Sequence, residues 1–188
     1  MQSHWSERTI AYDGRQLRAH WLLSRFAIVG DAIVGFRGPC RVAAEEIADL
    51  EDVDGPGIAA DDMVHFVWEA FAEPQLALAV HRQRLLAAQV REVLHELAPA
   101  AAVRRDGDDL FIGEGKLSIS IATVSPVSAL IHFAVNARPG GAPVATASLQ
   151  DLGVEPEAFG RRVLEVVVAE QVAIAQARAK VRPKGEWR

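Results

Sequence analysis

The chain has almost no cysteine: Cys40 is the only one in 188 residues. A single thiol excludes an intramolecular disulfide and suits a reducing compartment, so a cytoplasmic protein is expected. Lysine is also scarce. Of 20 basic residues only Lys116, Lys180 and Lys184 are lysines, which leaves Lys116 alone in the first 179 positions. Nor is there an excess of positive charge: the formal net charge is -5 and the sequence pI is about 5.7. That argues against a nucleic-acid partner, because binding to a phosphate backbone leaves a basic footprint on a domain. Long apolar runs are missing too. The polar opening MQSHWSERTIAYDG lacks the apolar core of a secretory signal, and no later run reaches membrane-spanning length, so no membrane partner is expected. There is no Walker loop, dinucleotide fingerprint, CxxC pair, GxSxG elbow or internal repeat, so no motif assigns a cofactor.

The chain does have an ordinary globular composition, half hydrophobic and a quarter charged. Its length suits one domain over residues 1–188, with residues 183–188 as a loose tail. Asp13 can cap a helix from about Gly14 to Arg25. The run FAIVGDAIVGFRGPCRV predicts a hairpin or turned strand pair around Gly30 and Asp31, followed by an acidic loop to Ile58. Two helices are expected next, over Ala60–Phe71 and Pro74–Ala98; in the second, Leu86, Val90, Val93, Leu94 and Leu97 recur at helical spacing. From Val103 to Ala137 the period becomes two, which predicts a β-meander whose apolar positions, Phe111, Ile119, Ile121, Ile131 and Phe133, should be buried. Pro156 opens a long last helix. The fold class is therefore α/β of the α+β type, a central mixed or antiparallel sheet with helices on one face.

The chemistry-bearing candidates lie mainly in the meander. Alternation puts Lys116, Ser118 and Ser120 on one side of their strand, and Ser128, His132 and Asn136 on one side of the next. If both apolar sides pack on the same helices, even positions pair with even positions and all six residues share one polar surface. Small hydroxyls, a histidine and one lysine suit a ligand better than the several charges of a solvated face. Such a face is the competing explanation. Arg37 beside Gly38 offers a forked donor and open backbone to an anion, or else an ordinary ion pair. His65 and Glu69 fall on one face of the expected helix, yet two such ligands do not make a zinc site, and no metal is assigned. Cys40 is a nucleophile only with a histidine beside it, and otherwise a small buried hydrophobe.

The runs GDAIVGFRGPC, DLEDV, MVHFVWEAF, HRQRLL, GDDLFIGEGKLSISIATVSPVSALIHFAVN and ARAKVR resemble the uncharacterised family catalogued as domain of unknown function 366, over nearly the whole chain. More distantly, the order of motifs is similar to the catalytic domain of lipoate ligases, octanoyltransferases and biotin protein ligases. Arg105, Asp108 and Asp109 precede Gly115-Lys116-Leu117-Ser118, His132 lies in LIHF, and SLQDLGV precedes the last helix. This second resemblance implies Lys116 near an acyl carbonyl or acyl phosphate. The glycine-rich arginine loop of those enzymes is reduced to Phe36-Arg37-Gly38-Pro39-Cys40, which puts adenylate binding of the usual kind in doubt. Lys116 and His132 are thus the candidate catalytic pair, with Arg37, Gly38, Arg105, Asp108, Ser118, Ser120, Ser128 and Asn136 as candidate ligand contacts. Three readings stay open: an acyl-transfer or ligase-like enzyme, a non-catalytic binding protein for a small molecule, and a structural interaction module. Monomer and homodimer also both remain open.

Overall fold

A computed structural model describes residues 1–182, 184 and 185; residues 183 and 186–188 of the expected tail lie outside the described residues. Chain order is β1 (Gln2–Trp5), α1 (Trp21–Phe26), β2 (Ala32–Arg41), β3 (Ala59–Ala70), α2 (Leu76–Leu97), β4 (Val103–Asp106), β5 (Asp109–Ile112), β6 (Gly115–Lys116), β7 (Ser118–Val124), β8 (Ala129–Asn136) and α3 (Pro156–Lys180). The main sheet has the order β1-β2-β3-β8-β7, and β4-β5-β6 form a small second sheet. β1 runs parallel to β2, and the other neighbours are antiparallel, so the sheet is mixed.

Helices α2 and α3 cover one face of the main sheet. Leu86, Val90, Phe159 and Val163 from the helices join Ile33, Phe66, Ile131 and Phe133 from the strands in one buried cluster. Each fully buried side chain of this size contributes roughly 1.5–3 kcal/mol. The opposite face carries a smaller cluster of Val34, Phe36, Met63 and Val67, covered by Tyr12 and by Leu22 of α1. Helix α2, the β-structure of Val103–Ala137 and the start of α3 at Pro156 lie where the sequence pattern puts them.

Four local expectations are corrected. Residues 60–71 form β3, not a helix. All residues from Met63 to Ala70 are buried, and a strand buried on both faces loses the alternation that would betray it. The expected hairpin is one strand, β2; the FAIV run before it is not paired, and Asp31 accepts from the Phe71 and Ala72 amides instead. The helix expected over 14–25 shrinks to Trp21–Phe26. Asp13 accepts from the Arg15 amide and Gln16 bonds the Asp13 amide and the Ala11 carbonyl, side-chain bonds that compete with helix initiation.

The fourth correction concerns register. Ser118 pairs with Val135, Ser120 with Phe133, and Ile121 with His132, so odd positions meet even ones. Even-to-even pairing requires an unbroken strand from Lys116 onward. Instead Lys116 ends β6, opposite Phe111, and both Leu117 and Ser118 are buried. The alternation breaks at that step. Ser118 and Ser120 consequently lie on the helix side, whereas Ile119 and Ile121 lie on the other side and, like Phe111, are only partly buried.

Gly38 marks a close crossing. A Cβ there would lie 2.1 Å from the Ile10 carbonyl oxygen, which is backbone and cannot swing away. Gly38→Ala should therefore cost on the order of 1–3 kcal/mol, the usual penalty of overpacking. Urea unfolding would check it, and an unchanged midpoint would mean that the Ile10 segment does not cross β2 here.

Candidate functional site

The face opposite α2 and α3 opens at the β7 edge into a cleft of about 460 Å³, between the loop of residues 46–58, the loop of residues 142–146 and the turn before β5. Lys116, His132, Asn136, Asp108 and Asp109 all line it. Lys116 and His132 thus meet in one cleft, although the register that suggested it does not hold. Asn136 fixes part of the geometry: its side-chain amide donates to the Lys116 and Ala147 carbonyls at 3.1 Å each. The strand carrying His132 thereby also holds the backbone of Lys116.

The Lys116 ammonium lies 2.8 Å from Asp109, with both side chains about one-third exposed or less. Burial holds the Asp109 carboxyl above its ordinary value, and Lys116 opposes that shift. Asp108 accepts from Ser120 at 2.6 Å and Gln83 at 2.7 Å and pairs with Arg84 at 2.9 Å, bracing the turn against β7 and α2. The charged lining comprises six carboxylates, Glu46, Asp49, Glu51, Asp52, Asp108 and Asp109, and two cations, Arg84 and Lys116. Both cations already hold a carboxylate. A polyphosphate therefore finds no unpaired cation on this wall, and a neutral or cationic end of a ligand is favoured there.

His132 belongs to a buried chain. His65 Nε2 lies 3.1 Å from the Gly38 carbonyl, and His65 Nδ1 lies 3.1 Å from His132 Nε2. A carbonyl can only accept, so His65 Nε2 carries hydrogen and, in the neutral ring, Nδ1 accepts. His132 Nε2 must then donate, which leaves the lone pair on His132 Nδ1 without a protein partner among the described residues. The ring is held flat by Tyr12, stacked at 3.7 Å and 6°. Both imidazoles stay neutral at pH 7. Burial lowers His65 to about 4, and burial together with His65 lowers His132 well below its ordinary value.

Of the remaining candidates, Ser118 and Ser120 line the cleft, while Arg37, Gly38, Arg105 and Ser128 do not. Arg37 lies opposite Val64, on the helix side, and forks onto Asp62 at 2.8 and 2.5 Å. Gly38 supplies the carbonyl that orients His65. Arg105 is exposed and bonds the Gly107 carbonyl. Ser128 is buried and donates to Glu69, which also accepts from the His20 amide. Ser118 lies along the cleft lining, with its hydroxyl oxygen taken by the Leu110 amide. Cys40 is buried, and its thiol is pushed up to about 12, which keeps it protonated and unsuited to attack. Sequence reasoning missed Tyr12, Arg84, Asp109 as a partner of Lys116, and His65 as the orienter of His132. The one usable signal was that Tyr12 is the only tyrosine.

Comparison with known proteins agrees with this architecture. A protein of unknown function from Pyrococcus horikoshi has a TM-score of 0.92 and 40% identity, over 98% of this chain and 99% of that one. An uncharacterized protein of Methanocaldococcus jannaschii is 36% identical over 150 residues, which are 77% of this chain and 67% of that one. The biotin protein ligase of Aquifex aeolicus, in a structure with biotin and ATP, has a TM-score of 0.61 at 12% identity, over 93% of this chain and 72% of that one. At that identity the likeness shows the fold alone. The family described as Domain of unknown function (DUF366) matches residues 1–182, and with relatives at 36% and 40% identity over most of its length the chain belongs to that family.

Proposed function

We propose that the cleft binds a small carbonyl-bearing molecule and that Lys116 and His132 carry out acyl transfer on it. The observation that supports this most directly is that a lysine and a buried, partner-oriented histidine from different strands line the same cleft. Lys116 donates to the carbonyl oxygen and stabilises the negative charge that grows there. His132 Nδ1 accepts the proton of an attacking N–H or O–H group as the heteroatom bonds to the acyl carbon. The bond from that carbon to its leaving group, a thioester sulfur or an adenylate oxygen, breaks with its electron pair. A biotin-and-ATP-bound ligase among the fold neighbours supports a small acid as the source of the acyl group.

One observation favours a second reading, binding without turnover: Asp109 already neutralises Lys116 at 2.8 Å. Thermal-shift measurements with biotin, lipoate, octanoate and adenosine nucleotides separate the two. A ligand at a hundred times its Kd adds about 2.7 kcal/mol, which for this length is a rise in Tm of roughly 5–10 °C. A rise with one of these and mass-spectrometric detection of a transferred acyl group is the expected result. A rise with no product assigns the binding protein, and no response to any of the four ligand classes removes the acyl-transfer reading.

A further inference from the structure

A larger cavity, about 640 Å³, lies on the opposite side of the main sheet, between the N-terminal half of α2, the C-terminal half of α3 and the end of β3. It shares no lining residue with the cleft. Leu78, Leu85 and Ile174 give it an apolar wall. Its polar groups are unevenly satisfied. The carboxylate of Asp31 accepts from the Phe71 and Ala72 amides, and that of Glu73 is forked by Arg178 at 2.7 and 3.1 Å. Both amides go to Asp31 Oδ1, and both oxygens of Glu73 are committed to Arg178. Two donors in the same lining, Trp68 Nε1 and Gln171 Nε2, are enclosed and have no hydrogen-bond partner among the described residues. Trp68 is only 2% exposed, and an indole N–H can do nothing but donate. Buried donors without acceptors are rare in folded proteins because desolvation is not compensated. Arg82 borders the same space, where it bonds the Ala72 and Glu73 carbonyls, the second at 3.5 Å, and lies 4.0 Å from the Glu73 carboxylate.

We propose that this cavity is a second ligand site and takes an aliphatic acyl compound. The hydrocarbon chain lies against Leu78, Leu85 and Ile174, and a carbonyl or carboxylate oxygen accepts from the Trp68 indole. Arg82 lies at the head-group end. Gln171, only partly buried on α3, lines the same space and is the side chain that turns outward as the ligand enters. The volume falls within the range of small-molecule sites. Because the two sites share no residue, this inference stands or falls apart from the cleft chemistry.

The test follows the indole N–H signals of the ¹⁵N-labelled full chain, which has four tryptophans, with Trp68→Phe assigning the relevant one. Decanoate and methyl decanoate are titrated below their aggregation limits. The Trp68 signal is expected to move downfield and saturate with at least one of them; movement with decanoate alone identifies the free acid, and movement with both extends the site to esterified chains. Trp68→Phe should weaken binding roughly fivefold to tenfold, the worth of one hydrogen bond. Leu85→Trp, which sets a bulkier ring on the apolar wall, should weaken the response strongly. A Trp68 signal unmoved by either compound would overturn the proposal and mean that Gln171, with its amide turned over, satisfies the indole itself. An equal response in Leu85→Trp would overturn it too, by placing binding elsewhere.

Discussion

Lys116→Ala should lower ligand affinity or turnover by on the order of a hundredfold, while leaving stability within about 1 kcal/mol of the wild type. The two effects separate because the lysine packs little and its ion pair with Asp109 is partly solvated, at 34% and 27% side-chain exposure. A pair of that kind contributes little to folding. The donor it offers to a carbonyl inside the cleft is another matter, since an ammonium already held in place by Asp109 does not reorganise as charge develops. Removing it also leaves Asp109 without its cation, so the carboxyl should titrate higher still than burial already places it. Arg37→Ala is the matched control. It breaks the fork onto Asp62 on the helix side and should leave the cleft's ligand untouched. Isothermal titration and urea unfolding on both variants measure the separation. Equal losses of affinity would mean that the cleft does not hold the ligand.

Acid should destabilise the protein from about pH 6.5 downward, through the buried imidazole pair. In the unfolded chain each histidine titrates near its ordinary value of 6.5, whereas in the folded chain His65 is lowered to about 4 and His132 well below 6.5. Below pH 6.5 the unfolded state therefore binds more protons, and the stability present above pH 6.5 is lost as pH falls toward the folded values. His65 alone accounts for roughly 3 kcal/mol between pH 6.5 and 4, at about 1.4 kcal/mol per unit. Burial outweighs what opposes it at His65, first the bond to the Gly38 carbonyl and then Asp62; beside the rings stand Phe36, stacked on His65 at 5.0 Å, and Tyr12, which covers His132. A double variant, His65→Phe with His132→Phe, should have a flatter profile of urea midpoints from pH 8 to 4.5. The same slope in that variant would assign the acid sensitivity to carboxylates instead. The tautomer chain from the Gly38 carbonyl also requires His132 Nδ1 to be unprotonated at pH 7, which long-range ¹H–¹⁵N spectra read directly.

The parts of this fold visible in the sequence are those with one buried face. Helix α2 shows Leu86, Val90, Val93 and Leu94 at helical spacing because its other face is solvated, and all four are buried in the structure. Strand β3 has no solvated face between Met63 and Ala70, so its periodicity vanishes and the segment reads as a helix. His65 and Glu69 stay on one side in either case, since four residues are two strand repeats. Lys116, His132, Asn136 and Asp108 line the cleft; the first three stand out in the sequence because polar side chains within β-rich runs call for a reason, and Asp108 through the order of motifs. Their geometry was not legible. It depends on the break in alternation at Leu117 and on long-range partners, Gly38 for His65 and Tyr12 for His132, that no local pattern announces. Arg37 misled for the same reason, because its partner Asp62 lies on the next strand and faces the helices.

Native mass spectrometry of the protein as purified, run in parallel on wild type, Lys116→Ala and Trp68→Phe, tests most directly whether the cleft is the functional site. The account predicts a small-molecule adduct on wild type, or one formed on adding a compound that raises Tm, retained by Trp68→Phe and lost from Lys116→Ala. An adduct that both Lys116→Ala and Trp68→Phe keep at full occupancy would contradict it.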